Sequence, residues 1–163
     1  MKKTMTIIVF FAVLLISMSA YSGRVYEAAE GYKAPAFTLA KSDTTVQLAD
    51  LKGRYVLLSF WASCDAASRV DAARYSDYAR SADEERFCLL SVNMDRSERL
   101  FREIVRRDNL SAETQFHVTG DVASRIAEDY HLADGFNSYL IDPEGQVIAT
   151  NPSAEILTQV LRN

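Results

Sequence analysis

Cys64 and Cys88 carry the only thiols in this chain of 163 residues, and His117 and His131 its only imidazoles. A thiol can exchange with a disulfide, attack a peroxide or bind a metal, and each use demands a particular neighbourhood. Cys64 is followed directly by Asp65, whose negative charge opposes thiolate formation. Two readings of Cys64 stay open: a reactive single thiol, or a partly buried small residue acting as apolar filler. Cys88 lies inside the apolar run Phe87 to Met94 and reads as core. A Cys64–Cys88 bond would need Cα atoms within about 7 Å. Cys88 stands near the start of its strand and Cys64 just after the end of another, which in a parallel pair are opposite ends of a sheet. The histidines lack metal-ligand spacing, and no glycine-rich phosphate loop or serine elbow occurs, so no metal or cofactor is expected.

The elements that must position these residues follow from periodicity. Tyr55 to Trp61 is almost continuously apolar, the pattern of a strand buried on both faces, and Phe87 to Met94 is a second such strand. Between them, Asp65 to about Arg80 is rich in alanine and charge without Gly or Pro. Ala66, Val70, Ala73 and Asp77 recur at helical intervals there, so a helix is predicted mainly on propensity. Ala34 to Leu39 reads as an opening strand with Pro35 at its edge, able to pair with Thr44 to Leu48, and Ala49 to Gly53 as a turn. Ser97 caps an amphipathic helix carrying Leu100, Phe101, Ile104 and Val105. Another helix is predicted from about Val122 to Tyr130. Ser138–Ile141 and Gln146–Ala149 flank Asp142-Pro143-Glu144-Gly145, an antiparallel hairpin, and Ser153 caps a last helix to about Arg162. Strands joined through helices imply parallel pairs, and the terminal hairpin adds an antiparallel edge.

The first 22 residues are of another kind. Lys2 and Lys3 precede an unbroken apolar run from Ile7 to Ile16, then small residues to Ser22, the layout of a cleavable secretory signal. The run is short of the ~20 residues that span a bilayer; an uncleaved anchor is the other reading. No cysteine follows it, so a lipoprotein attachment site is absent. Residues 23–33 read as a flexible leader and 34–163 as one domain, destined for a periplasm or for secretion. Without Lys2 and Lys3 the basic count falls from 18 to 16 against 22 acidic residues, a net charge near −6. That balance, with no basic stripe, excludes nucleic acid as a partner, and no stable membrane span remains once the signal is removed. The run Asp83 to Arg86 reads as a solvated connection.

Ala34 to Leu39, Leu48 to Ser63, Asn93-Met94-Asp95 and Tyr139 to Gly145 together resemble the exported thioredoxin-like thiol:disulfide oxidoreductases. These are relatives of the alkyl hydroperoxide reductase and thiol-specific antioxidant group. The resemblance covers nearly all of 34–162. It implies a thioredoxin-like α/β fold, a central mixed sheet flanked by helices, with an N-terminal β-hairpin extension. It also implies a dithiol site reading F-W-A-S-W-C-x-x-C-R, whose first cysteine lies at a helix N-terminus and whose second resolves the mixed disulfide. Here the run is Phe60-Trp61-Ala62-Ser63-Cys64-Asp65-Ala66-Ala67-Ser68-Arg69. Aligned without gaps from Trp61, Cys64 stands for the second tryptophan, Asp65 for the attacking cysteine and Ser68 for the resolving one. Ser59 stands where such proteins often bury an acid that assists proton transfer. Asn137 stands at the position of a cis-proline, and a cis bond there would cost about 2.5–4 kcal/mol, so a trans bond is expected.

A carboxylate cannot exchange thiols and a serine cannot resolve a disulfide. The leading expectation is an exported thioredoxin-fold protein without dithiol activity, binding a protein or peptide at the altered active-site edge. The alternative is a single-thiol oxidoreductase or peroxidase using Cys64, which a one-residue deletion would bring to the helix start. Two peroxidase patterns fail to fit it. The glutathione peroxidase segment A-S-x-C places its cysteine one position later after Ala62-Ser63, and the peroxiredoxin threonine three residues before the cysteine is Trp61 here. An accessory domain without a ligand site is the third reading. Phe136 and Tyr139, beside the altered loop, are either a contact surface or core.

Overall fold

Two runs that are apolar on both faces must lie in the middle of a sheet, and they do. The structure is a computed structural model describing residues 27–41 and 44–162; the signal segment 1–22 lies outside the described residues. In chain order the strands are β1 Thr38–Lys41, β2 Thr44–Gln47, β3 Tyr55–Trp61, β4 Phe87–Asn93, β5 Gln115–His117, β6 Ser138–Ile141 and β7 Val147–Thr150. The helices are α1 Ala66–Ala79, α2 Glu98–Arg107, α3 Gly120–Asp129 and α4 Ala154–Arg162. The main sheet has the order β5-β4-β3-β6-β7, while β1 and β2 form a separate antiparallel pair. β3 runs parallel to β4 and β4 to β5, whereas β6 is antiparallel to β3 and to β7. This is the thioredoxin-like α/β fold with its small N-terminal extension.

Alternate residues of each strand feed separate cores. Val56, Leu58 and Phe60 face Leu90, Val92, Tyr139 and Ile141, under Phe37, Leu39 and Ile126. Leu57, Leu89 and Leu140 face the other way, against Tyr75 of α1 and Leu157 of α4. On that second face one level of the sheet is polar. Ser59 pairs in register with Ser91 and Ser138, and Ser91 with Gln115, and all four are buried.

The structure corrects several expectations. β1 begins at Thr38 rather than Ala34, because Pro35 cannot donate to a ladder. The predicted turn after β2 is a short 3₁₀ helix, Leu48–Leu51. β5 was not foreseen; three residues, two of them polar, leave no periodic signal. The buried stripe of α1 is Ser68, Ala72, Tyr75 and Ser76, and Val70, expected on that stripe, is 67% exposed. Part of the expected leader, 27–33, is docked: Gly31 N donates to Val147 O, and Val147 N to Tyr32 O. Cys88 is half-buried rather than enclosed, although burial still pushes its thiol pKa up.

Tyr130, just past α3, ties the layers together. Its hydroxyl donates to Pro35 O at 2.6 Å, and its own carbonyl accepts from the Tyr139 hydroxyl at 2.9 Å. Tyr130→Phe leaves the buried Pro35 carbonyl without its donor, and urea unfolding should show a loss of about 1–3 kcal/mol. Burial also raises the Tyr130 pKa above its ordinary 10.0. Above that pH the unfolded chain ionises while the buried phenol stays neutral, so stability should fall as pH rises, and less steeply in Tyr130→Phe.

Candidate functional site

β3 delivers its last residues to the end of the sheet where the chain turns into α1. The turn is fixed by its own polar groups. Asp65 N donates to Ala62 O at 3.1 Å. Asp65 adopts an extended backbone and caps α1, its Oδ1 accepting from Ser68 N at 2.7 Å. That backbone N–H, helped by the Ser68 side chain, holds the Asp65 carboxyl below its ordinary pKa. Ser68 is only 3% exposed. Its hydroxyl donates to Asp65 O at 3.2 Å and accepts from Ala62 N at 3.3 Å. The two positions where a dithiol would stand are therefore a cap and a buried staple between strand and helix. Arg69 follows and pairs with Asp108 at the end of α2, Nη2 to Oδ2 at 2.5 Å.

Cys64 stands one residue before the cap, exposed and free. The reading of it as partly buried filler is corrected: the gap-free position does not fill a pocket here. Cys64 and Cys88 are not joined. Val56, at the start of β3, is the partner of Cys88, whereas Cys64 follows the other end.

A network missed in the sequence fixes the residue before Cys64. Ser63 donates its N–H to both oxygens of Asp95, each at 3.1 Å, and its hydroxyl to Oδ1 at 2.9 Å. Asn93 Nδ2 donates to Asp95 Oδ2 at 2.8 Å. His117 Nε2 lies 2.7 Å from Asp95 O. A carbonyl only accepts, so this nitrogen carries the proton. The segment Asn93-Met94-Asp95 was the available signal, but nothing in it named Ser63 or His117 as partners.

Ser59 and Asn137 lie where β3 pairs with β6 and the segment before it. The Ser138 hydroxyl donates to Ser59 Oγ at 2.9 Å, so a hydroxyl pair fills the level expected for a proton-handling acid. No cis peptide occurs among the described residues, and Asn137 is trans as expected. Its carbonyl accepts from Phe60 N at 3.2 Å, and its Oδ1 accepts from Asn151 Nδ2 at 2.9 Å. Asn151, also missed, accepts on its Oδ1 from the Ser138 N–H at 2.8 Å. Tyr139 is core, and Phe136 packs against it half-buried. Trp61 is fully buried, donating Nε1–H to Gln115 Oε1 at 3.1 Å; it anchors the strand end rather than lining a site.

No group of three His, Cys, Asp or Glu side chains among the described residues could hold a metal ion. No helix among them is long and apolar enough to cross a membrane.

A family model described as the AhpC/TSA family matches residues 31–150. The thiol-disulfide oxidoreductase ResA of Bacillus subtilis (strain 168) is 26% identical over 161 residues, covering 91% of this chain and 86% of that protein. A crystal structure of a thioredoxin-like protein from Parabacteroides distasonis ATCC 8503 is 33% identical with a TM-score of 0.72. That match covers 85% of this chain and 98% of the other. The thioredoxin domain of a thiol-disulfide oxidoreductase from Bacteroides vulgatus is 26% identical, TM-score 0.68, covering 82% and 96% of the two chains.

Removing the cap tests the assignment of Asp65. Asp65→Ala should cost about 1 kcal/mol at pH 7. Because the folded carboxyl has a lowered pKa, its contribution is present above the ordinary value of 3.8 and lost as pH falls below it. The stability gap between wild type and variant, followed by chemical denaturation, should therefore close in acid.

Proposed function

We propose that this chain, which belongs to the AhpC/TSA family of thioredoxin-like proteins, has given up dithiol exchange and acts by binding. The observation that carries this reading is the double use of Asp65 and Ser68. Both side chains are committed to starting α1, and neither can form or break a disulfide. Ser59 and Asn137 complete the same departure, since neither the buried acid nor the proline-shaped edge is present. The turn between β3 and α1, with the segment Gly135-Phe136-Asn137 that precedes β6, is the surface proposed for a protein or peptide partner. Residues 1–22 are proposed as a secretory signal, 23–33 as its leader and 34–163 as the working domain, placed in a periplasm or outside the cell.

A second reading keeps Cys64 as a single-thiol oxidoreductase or peroxidase, and one observation favours it: the thiol is solvent-exposed and free. Against it, the first-turn N–H of Ser68 is already taken by a carboxylate, and Asp65 sits next in sequence.

In an insulin-reduction assay with dithiothreitol the protein should give no acceleration over the thiol alone, and Cys64→Ala should behave identically. Turnover that disappears in Cys64→Ala would overturn the binding reading. Alkylation of Cys64 by iodoacetamide at pH 7 separates the two directly. Binding predicts a rate no faster than that of a small free thiol, and catalysis a rate well above it.

A further inference from the structure

A wide cleft lies on the α2 side of the sheet, outside the turn that carries Cys64. It spans about 890 Å³ between α2, the end of β1 and β5. Its apolar wall is Phe101, Val105 and Leu110, and the ring of His117 lies flat on Phe101, with centroids 5.1 Å apart and 12° between planes. Its rim carries three cations, Lys41, Arg102 and Arg106; Glu98 is also in the lining, and the carboxylates of Glu103 and Glu113 lie beside Arg106 and Lys41.

We propose that this cleft is a binding site for a small aromatic carboxylate, its ring against the Phe101–His117 stack and its anion on Arg102, Arg106 and Lys41. The volume falls within the ~300–1,000 Å³ usual for small-molecule sites. Arg102 and Arg106 lie one turn apart on one face of α2. Each already has an exposed ion pair, to Glu98 at 2.6 Å and to Glu103 at 2.8 Å. A guanidinium has five N–H donors, so both retain capacity for a second, bidentate acceptor. Lys41 donates to the carbonyls of Ala112 and Glu113, which holds its ammonium at the rim, and burial lowers its pKa. A partly desolvated cation gains from an added anion. An extended peptide is the poorer occupant, because the adjoining edge strand β5 offers only three residues of backbone. The cleft meets the loop carrying Cys64 only through His117 and Asp95, and its test reads ligand binding alone, so its outcome is distinguishable from that of the binding role proposed above.

The single tryptophan provides the readout. Trp61 is fully buried, yet its ring centroid lies 6.1 Å from that of Phe101. A quencher free in solution cannot touch it, whereas a nitroaromatic acid seated on Phe101 can. Titrating the full chain with 4-nitrobenzoate should give saturable quenching after inner-filter correction. Arg102→Glu with Arg106→Glu should weaken it at least about fivefold, the loss expected for charge-assisted contacts. Lys41→Gln should weaken it in the same direction, and both variants should keep the wild-type circular dichroism and melting temperature. Neutral 4-nitrobenzyl alcohol should bind more weakly than the acid. Linear unsaturable quenching, equal affinity for the neutral analogue or no loss in the double variant would overturn the site. Displacement of the probe by tetraglutamate at lower concentration than by benzoate would overturn the small-molecule assignment.

Discussion

β3 has a hydrogen-bonded neighbour on each edge and a packed layer on each face, and this enclosure governs what can happen at its end. Six of its seven residues are buried, so the direction in which Trp61 and Ala62 leave the sheet is set by the core and not by the loop. The chain must then turn into α1 within three residues while satisfying the first N–H groups of a helix that starts over a crowded sheet. Asp65 and Ser68 meet that demand with side chains, tying Ala62, Asp65 and the first turn into one unit. The same loop in a dithiol protein must leave these positions to sulfur. Here capping and redox chemistry compete for the same atoms, and capping has them.

The field at the start of α1 sharpens that competition. A helix N-terminus favours negative charge in its first turn, whether carboxylate or thiolate. Asp65 already answers it, with its carboxyl stabilised by the Ser68 N–H. Cys64 lies one residue outside, next to a charge of the sign it would need to acquire. On the far side, Asp95 draws in Ser63 with three hydrogen bonds and is itself braced by Asn93. The exposed thiol thus rides on a segment held by hydrogen bonds and flanked by carboxylates.

The strands that carry long apolar runs were legible in the sequence, because burial on both faces leaves nothing but apolar positions. The β6–β7 hairpin was equally legible: Asp142 Oδ1 accepts from Glu144 N and Gln146 N, and Gly145 takes φ +83°, so the turn is written in its own residues. α1 was legible as a helix but not in its facing. Its contact surface is serine, alanine and tyrosine over a polar level of the sheet, and apolar periodicity cannot register polar burial. Asp65, Ser68, Ser59 and Asn137 are marked by their place in the family's pattern of spacing, which is local. Asp95, His117 and Asn151 are not, since each reaches its partner across 13 to 32 residues of chain that only the fold brings together.

The serine level beneath α1 limits what could be built at this loop. Ser59, Ser91 and Ser138 are small, uncharged and buried, and the Ser138 hydroxyl already donates to Ser59. An ionisable group placed at 59 would enter a space with neither a counter-ion nor room for hydration, and its charged form would be penalised accordingly. Cysteines placed at 65 and 68 would then supply sulfurs but no internal acid beneath them. Dithiol chemistry at this loop would ask for a rebuilt level of the sheet as well as a rebuilt loop.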